Sequence, residues 1–107
     1  MEYKDTDDVM VFSKEKMQKI ELFSSDKLLC DLYCLEPGQY QKHHKHEGSD
    51  KVYYVKKGEV VVTLDSHEKQ LHEGCAILAP AGIEHSIRNT SGERAVLLVL
   101  LAPRPEH

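Results

Sequence analysis

Five residues of this chain have the types and the spacing to do chemistry together: His44, His46, His85, Lys51 and Tyr53. His44 and His46 stand two apart in the stretch QKHHKHEGSDK, so on a strand both imidazoles point to the same side. Two imidazoles on one side of a strand are a common way for a β-protein to offer two ligands to a metal ion. A third, His85, lies downstream in GCAILAPAGIEHSIRN and can join from a neighbouring strand. Three neutral imidazoles would hold a divalent Fe, Mn, Zn or Ni ion and leave positions for substrate or dioxygen. Taken alone, His43, His44 and His46 read equally as a solvated charged loop, and a lone strand histidine is more often structural than ligating.

The elements that must position these groups are short strands. Residues 75–79 are a brief apolar run bounded by Gly74 and Pro80, as a buried strand should be. Pro80 ends the run and Gly82 supplies a turn. Residues 83–88 then form a strand with His85 and Ile87 on one face. Upstream, Glu36-Pro37-Gly38 has the chemistry of a tight turn, and residues 40–46 form the strand that carries His44 and His46. Further strands are expected at residues 16–23, 27–35, 52–55, 59–64, 70–72 and 95–101, with a tight turn over 65–69. A helix capped by Ser13 is the alternative for the start of residues 13–21. Residues 1–8 are polar and read as loose. Many short strands with regular turns make the chain all-β, a sandwich or a barrel.

With both histidine segments on the page, the chain resembles the cupin superfamily in its small single-domain form. The downstream segment matches that family's pattern at Gly74, Pro80, Gly82, His85 and Asn89, and the upstream one at Gly38, His44, His46 and Gly58. The resemblance implies a small jelly-roll β-barrel over residues 16–104, behind an acidic extension at 1–15. It also implies that His44, His46 and His85 are metal ligands. The family pattern places a glutamate, normally the fourth ligand, seven residues before Gly58, and here that position is Lys51. A protonated ammonium cannot ligate, and its charge opposes a bound cation. Asp50 is turned away by alternation, and Glu47 reaches in only if its loop folds back. The site therefore reads as three histidines with no acidic ligand, or as no metal site.

Alternation also outlines a pocket. On the first histidine strand Tyr40, Lys42, His44 and His46 are expected to face in, followed on the next by Lys51, Tyr53 and Val55, and later by His85 and Ile87. Such a wall suits a small organic molecule with an anionic or carbonyl group. Lys51 and Tyr53 are the candidate catalytic residues. Lys51 would pair with a substrate carboxylate or act as a proton donor. Its alternative is a buried stem with the head in solvent, and for Tyr53 it is plain core. Three functions stay open. One is a metal-dependent enzyme of oxygenase or isomerase class on a small organic substrate. Another is a non-catalytic small-ligand, sugar-binding or sensor protein. The last is a metal-free enzyme using Lys51 as Schiff base or general base.

Composition agrees with one ordinary domain. The chain has 107 residues, 30% charged and 40% apolar, with a net charge of −4 that argues against nucleic acid as partner. The longest apolar run, residues 95–102, is far too short to span a membrane. The acidic beginning lacks the pattern of a secretion signal. Three cysteines, Cys30, Cys34 and Cys75, are an odd number that fits a reduced, cytoplasmic protein. Cys30 and Cys34 would share one strand face as small buried hydrophobes. A homodimer is expected, with the run AVLLVLLA either central in a sheet or at the interface.

Overall fold

The computed structural model describes residues 1–105. The chain runs α1 (Thr6–Val9), β1 (Gln18–Ser24), β2 (Leu29–Leu35), β3 (Tyr40–His44), β4 (Asp50–Lys57), β5 (Glu59–Leu64), β6 (His67–His72), β7 (Ala76–Ala79), β8 (His85–Arg88) and β9 (Ala95–Ala102). Two antiparallel sheets form, in strand orders β1-β2-β9-β4-β7 and β3-β8-β5-β6. They face each other as a small jelly-roll barrel, the all-β architecture expected. β9 is last in the chain yet sits between β2 and β4, which explains its nearly continuous apolar sequence.

The core lies between the sheets. Leu35, Val55, Val60, Val62, Ile87, Leu97 and Val99 fill it from both sides. A second cluster lies on the outer face of the five-stranded sheet, where Leu22, Cys30, Leu32, Cys34 and Val96 are covered by Val9, Met10 and Phe12. This is why β2 is buried on both faces: Asp31, Tyr33 and Leu35 point into the barrel, and Cys30, Leu32 and Cys34 point under the N-terminal segment. Cys30 and Cys34 are thus small buried hydrophobes on one face, as expected, and all three cysteines are free.

Several boundaries differ from expectation. Residues 1–8 are not loose. Asp5 caps α1 by accepting from the Asp7 amide, Lys4 Nζ donates to the Leu22 carbonyl, and Lys56 Nζ donates to Thr6 Oγ1 and Asp7 Oδ1. No helix starts at Ser13; its hydroxyl accepts from the Glu15 amide in a bend that leads into β1. The turn expected over 65–69 is shorter. Asp65 takes the left-handed conformation (φ 51°), and β6 is already paired from His67. Gly58 closes the β4–β5 hairpin at φ 82°, and a Cβ there would stand 2.5 Å from the Arg94 carbonyl oxygen, so only glycine fits.

The most consequential difference is a β-bulge in β3. Gln41 pairs with Ile87 and His44 with His85, so three steps on β3 match two on β8. The extra residue reverses the alternation. Gln41 therefore points into the barrel, whereas Tyr40 and Lys42, expected inside, are exposed.

Candidate metal centre

Strand β3 carries His44 at its end, and His46 follows in the loop before β4. Strand β8 opens with His85, which sits directly opposite His44. The turn between β7 and β8 is tied to the histidine loop, because the Gly82 amide donates to the His46 carbonyl at 2.8 Å. Gly82 takes φ 81°, so the residue that shapes this turn also links the two histidine segments. Asn89 is buried and structural: its side-chain amide donates to the Leu35 and Glu93 carbonyls.

The three imidazoles converge. One ligand nitrogen from each of His44, His46 and His85 lies within 4.8 Å of the others, and the His44 and His85 ring centres are 4.1 Å apart. Backbone carbonyls set two of the rings. His44 Nδ1 lies 2.9 Å from the Lys42 carbonyl oxygen and His85 Nδ1 lies 2.9 Å from that of Ile83. A carbonyl can only accept, so each Nδ1 donates and each Nε2 keeps its lone pair. His85 Nε2 is fully buried and has no hydrogen-bond partner among the described residues. Burial lowers the His44 pKa to about 4, helped by the Lys51, His85 and His46 charges. Burial also lowers that of His85, with Lys51 and His46 adding to the effect. Both rings are therefore neutral at neutral pH, the state in which imidazole ligates. A divalent cation fits this donor set.

Lys51 lies inside as well. It is 1% exposed, so its head does not reach solvent. Its Nζ stands 3.3 Å from Gln41 Oε1 and 3.2 Å from His44 Nε2, between the rings of Tyr33 and Tyr53 at 5.2 and 4.8 Å. Burial, reinforced by Lys19, lowers its pKa to about 7, while Asp31 works the other way. Tyr53 is fully buried and donates through its hydroxyl to Gln41 Oε1 at 3.2 Å. Burial raises the pKa of both phenols, so they act as neutral donors and acceptors. Asp31 is held up by burial and by Glu21 across the β1–β2 pair.

A cavity of about 190 Å³ opens onto these groups, with Lys51, Gln41, Tyr33, Asp31, His44 and His46 among its walls. A wider hollow of about 570 Å³, lined by Lys45, Glu47 and Arg104, shares His46 and Pro105 with it among the described residues. Of the residues singled out from sequence, His44, His46, His85, Lys51 and Tyr53 are brought together. Asp50 is turned away and accepts from the Ala81 amide, and Glu47 stays outside beside Lys45. Sequence reasoning missed Gln41, Tyr33 and Asp31. The inward row of β2 would have revealed the last two, but nothing in the sequence marks the bulge that turns Gln41 inward.

The Cupin domain family matches residues 31–101, a span that includes all of these site residues. The crystal structure of TT1209 from Thermus thermophilus is 53% identical, with a TM-score of 0.95 over 98% of this chain and 100% of that one. An oxalate-binding protein of Thermotoga maritima is 32% identical over 85% of this chain and 70% of its own length. Protein SchB of Streptomyces halstedii is 36% identical over 67% of this chain, which spans little more than half (54%) of that relative.

Proposed function

We propose that this chain, which belongs to the cupin domain family, holds one divalent metal ion on His44, His46 and His85 and presents a small organic ligand to it. The observation that carries the reading is the lone pair of His85 Nε2, buried without a partner beside two other imidazole nitrogens. A buried polar atom left unpaired costs about 1–3 kcal/mol, and a cation shared with His44 and His46 removes that cost. Once bound, the metal would supply Lewis-acid or oxygen-activating chemistry, so an enzyme of the oxygenase or isomerase class is the first reading. The chain's own contribution is positional. Gln41 holds Lys51 and Tyr53 with one carbonyl oxygen, which keeps an ammonium and a phenol beside the imidazoles.

A non-catalytic ligand-binding protein is the second reading, and the likeness to an oxalate-binding protein favours it. Elemental analysis of the untagged chain, beside His44→Ala/His46→Ala, tests the common part. About one ion per chain, lost in the double variant, is expected; an ion-free wild-type chain overturns it. A ligand that raises the melting temperature without being consumed selects the second reading over the first.

The same proposal includes a homodimer in a reducing, cytoplasmic setting, the latter in keeping with three free thiols. The N-terminal segment packs over Leu22, Cys30, Leu32, Cys34 and Val96 on the outer face of the five-stranded sheet. Tyr54, Leu78 and Leu100, which the β4–β7 and β4–β9 registers place together on that face, remain exposed. Light scattering at a dimer's mass is the expected result, and a 12.2 kDa species overturns it.

A further inference from the structure

Two polar groups on β2 face the cavity with bonding capacity that the fold leaves unused. Asp31 and Tyr33 stand two apart on the inward row of that strand, so they flank one space, about 7 Å apart along it. Asp31 is 8% exposed. Among the described residues its carboxylate accepts no hydrogen bond and closes no ion pair within 4.0 Å. A counter-charge with that role alone would close on Lys19 or Lys51, and both act on it only from longer range. A buried carboxylate without a direct partner costs stability, so its place here answers to something other than the fold. Burial first, then the Glu21 charge, raises its pKa, which makes the carboxylate a stronger base. Tyr33 is 2% exposed, and its hydroxyl oxygen accepts from Gln41 Nε2 at 3.4 Å. An amide NH2 can only donate, so the hydrogen of Tyr33 is left without an acceptor among the described residues. Burial keeps this phenol protonated.

Resting on the reading that this cavity takes a small organic ligand, we infer that Asp31 and Tyr33 act together on an enolisable carbonyl compound, Asp31 as the base for its α-hydrogen and Tyr33 as the hydrogen-bond donor to its carbonyl oxygen. A base beside a neutral donor is what removal of such a proton requires. The C–H bond breaks and the proton goes to the Asp31 carboxylate. The electron pair forms the carbon–carbon double bond of an enolate, and the charge left on oxygen is met by the Tyr33 hydroxyl. Gln41 is a positioning residue here, because its amide holds the Tyr33 oxygen and leaves the hydrogen free to turn to the ligand. Returning the proton to the same carbon exchanges or epimerises it, and no oxidant, reductant or second substrate is consumed. A cavity of about 190 Å³ holds about six waters at ~30 Å³ each, hence a reacting part of roughly that many non-hydrogen atoms.

The test is exchange of α-hydrogens for deuterium in D2O, followed by proton NMR on hydroxyacetone, dihydroxyacetone and pyruvate with the metal-loaded full chain. Metal content is measured on the same samples. The wild-type chain should exchange at least one of these probes at least about 10-fold faster than the free ion at equal concentration. Asp31→Asn should keep its metal and lose about 100-fold or more in exchange rate. Tyr33→Phe should keep its metal and lose about 100-fold. Rescue separates a base from a structural acid: added formate should speed exchange by metal-loaded Asp31→Ala and leave the wild-type chain unchanged. No exchange above the free-ion control with any probe overturns the inference and leaves the metal reading intact. Exchange within about threefold of wild type in metal-loaded Asp31→Asn or Tyr33→Phe, or no rescue of Asp31→Ala by formate, does the same. A wild-type chain that takes up no metal overturns the metal reading alone if it still exchanges a probe, and both if it does not.

Discussion

The two ends of the barrel interior are built from the same strands and have opposite characters. Along β4 the inward row reads Lys51, Tyr53, Val55; along β2 it reads Asp31, Tyr33, Leu35; along β8 it reads His85, Ile87. Each row passes from charged or polar to aliphatic. The aliphatic end, with Val55, Val60, Val62 and Leu97 all 1% exposed or less, carries the hydrophobic stabilisation. The polar end buries the amino head of Lys51, two phenols and an unpartnered imidazole nitrogen. The unpartnered nitrogen and the buried lysine head lower the stability of the fold and are worth having only for what they bind, whereas the phenols are hydrogen-bonded to Gln41. Stability and function are therefore separable along the barrel axis, and substitutions at the two ends should affect different measurements.

The sharpest separation is expected at His85. His85→Ala should take bound metal from about one ion per chain to near none by elemental analysis, while urea unfolding of the metal-free chain changes little. An ion retained at full stoichiometry would dissolve the distinction between the ends. At the other end, Leu97→Ala should lower unfolding free energy by about 2–5 kcal/mol in urea melts, with metal per folded chain unchanged. Gly58→Ala belongs with the aliphatic end: strain at positive φ and the clash with the Arg94 carbonyl should cost about 1–3 kcal/mol without loss of metal.

Lys51→Met should run in the opposite sense. Replacing a buried ammonium by an apolar chain of similar length should stabilise the metal-free protein by about 1–3 kcal/mol in the same melts. A destabilised variant would mean that Lys51 holds the fold rather than the ligand. The smallest effect concerns the outer face. Burial raises the Cys30 and Cys34 pKa values, with Asp31 adding to the rise at Cys30. A thiol reagent should therefore modify Cys75 in the native chain and reach the other two only on unfolding. Fast native labelling at Cys34 would show that the N-terminal segment opens.

Much of this arrangement was legible because it depends on local spacing. The positions of Gly58 and Gly82, the pairing of His44 with His46, and the inward row Lys51, Tyr53, Val55 all follow from turn chemistry and a period of two. Tyr40 and Lys42 were misplaced for the same reason: period-two reasoning assumes an unbroken ladder, and β3 contains one residue too many for its partner. The N-terminal segment was misread because its sequence is polar through residue 8, while the apolar residues that anchor it, Val9, Met10 and Phe12, matter only once a bare sheet face exists to receive them.

By itself, then, the sequence determined the all-β class, the strand-and-turn order, and the three imidazoles that can share one ion. Those are consequences of residue type and short-range geometry. Tertiary structure alone decided that Gln41 faces the site in place of Tyr40 and Lys42, and that the Lys51 ammonium stays inside rather than reaching solvent. Whether an extra residue bulges depends on the opposite strand, and where a four-carbon stem ends depends on which acceptors and rings surround it. Here those are Gln41, His44, Tyr33 and Tyr53, contributed by other segments of the chain and by the same strand two residues on.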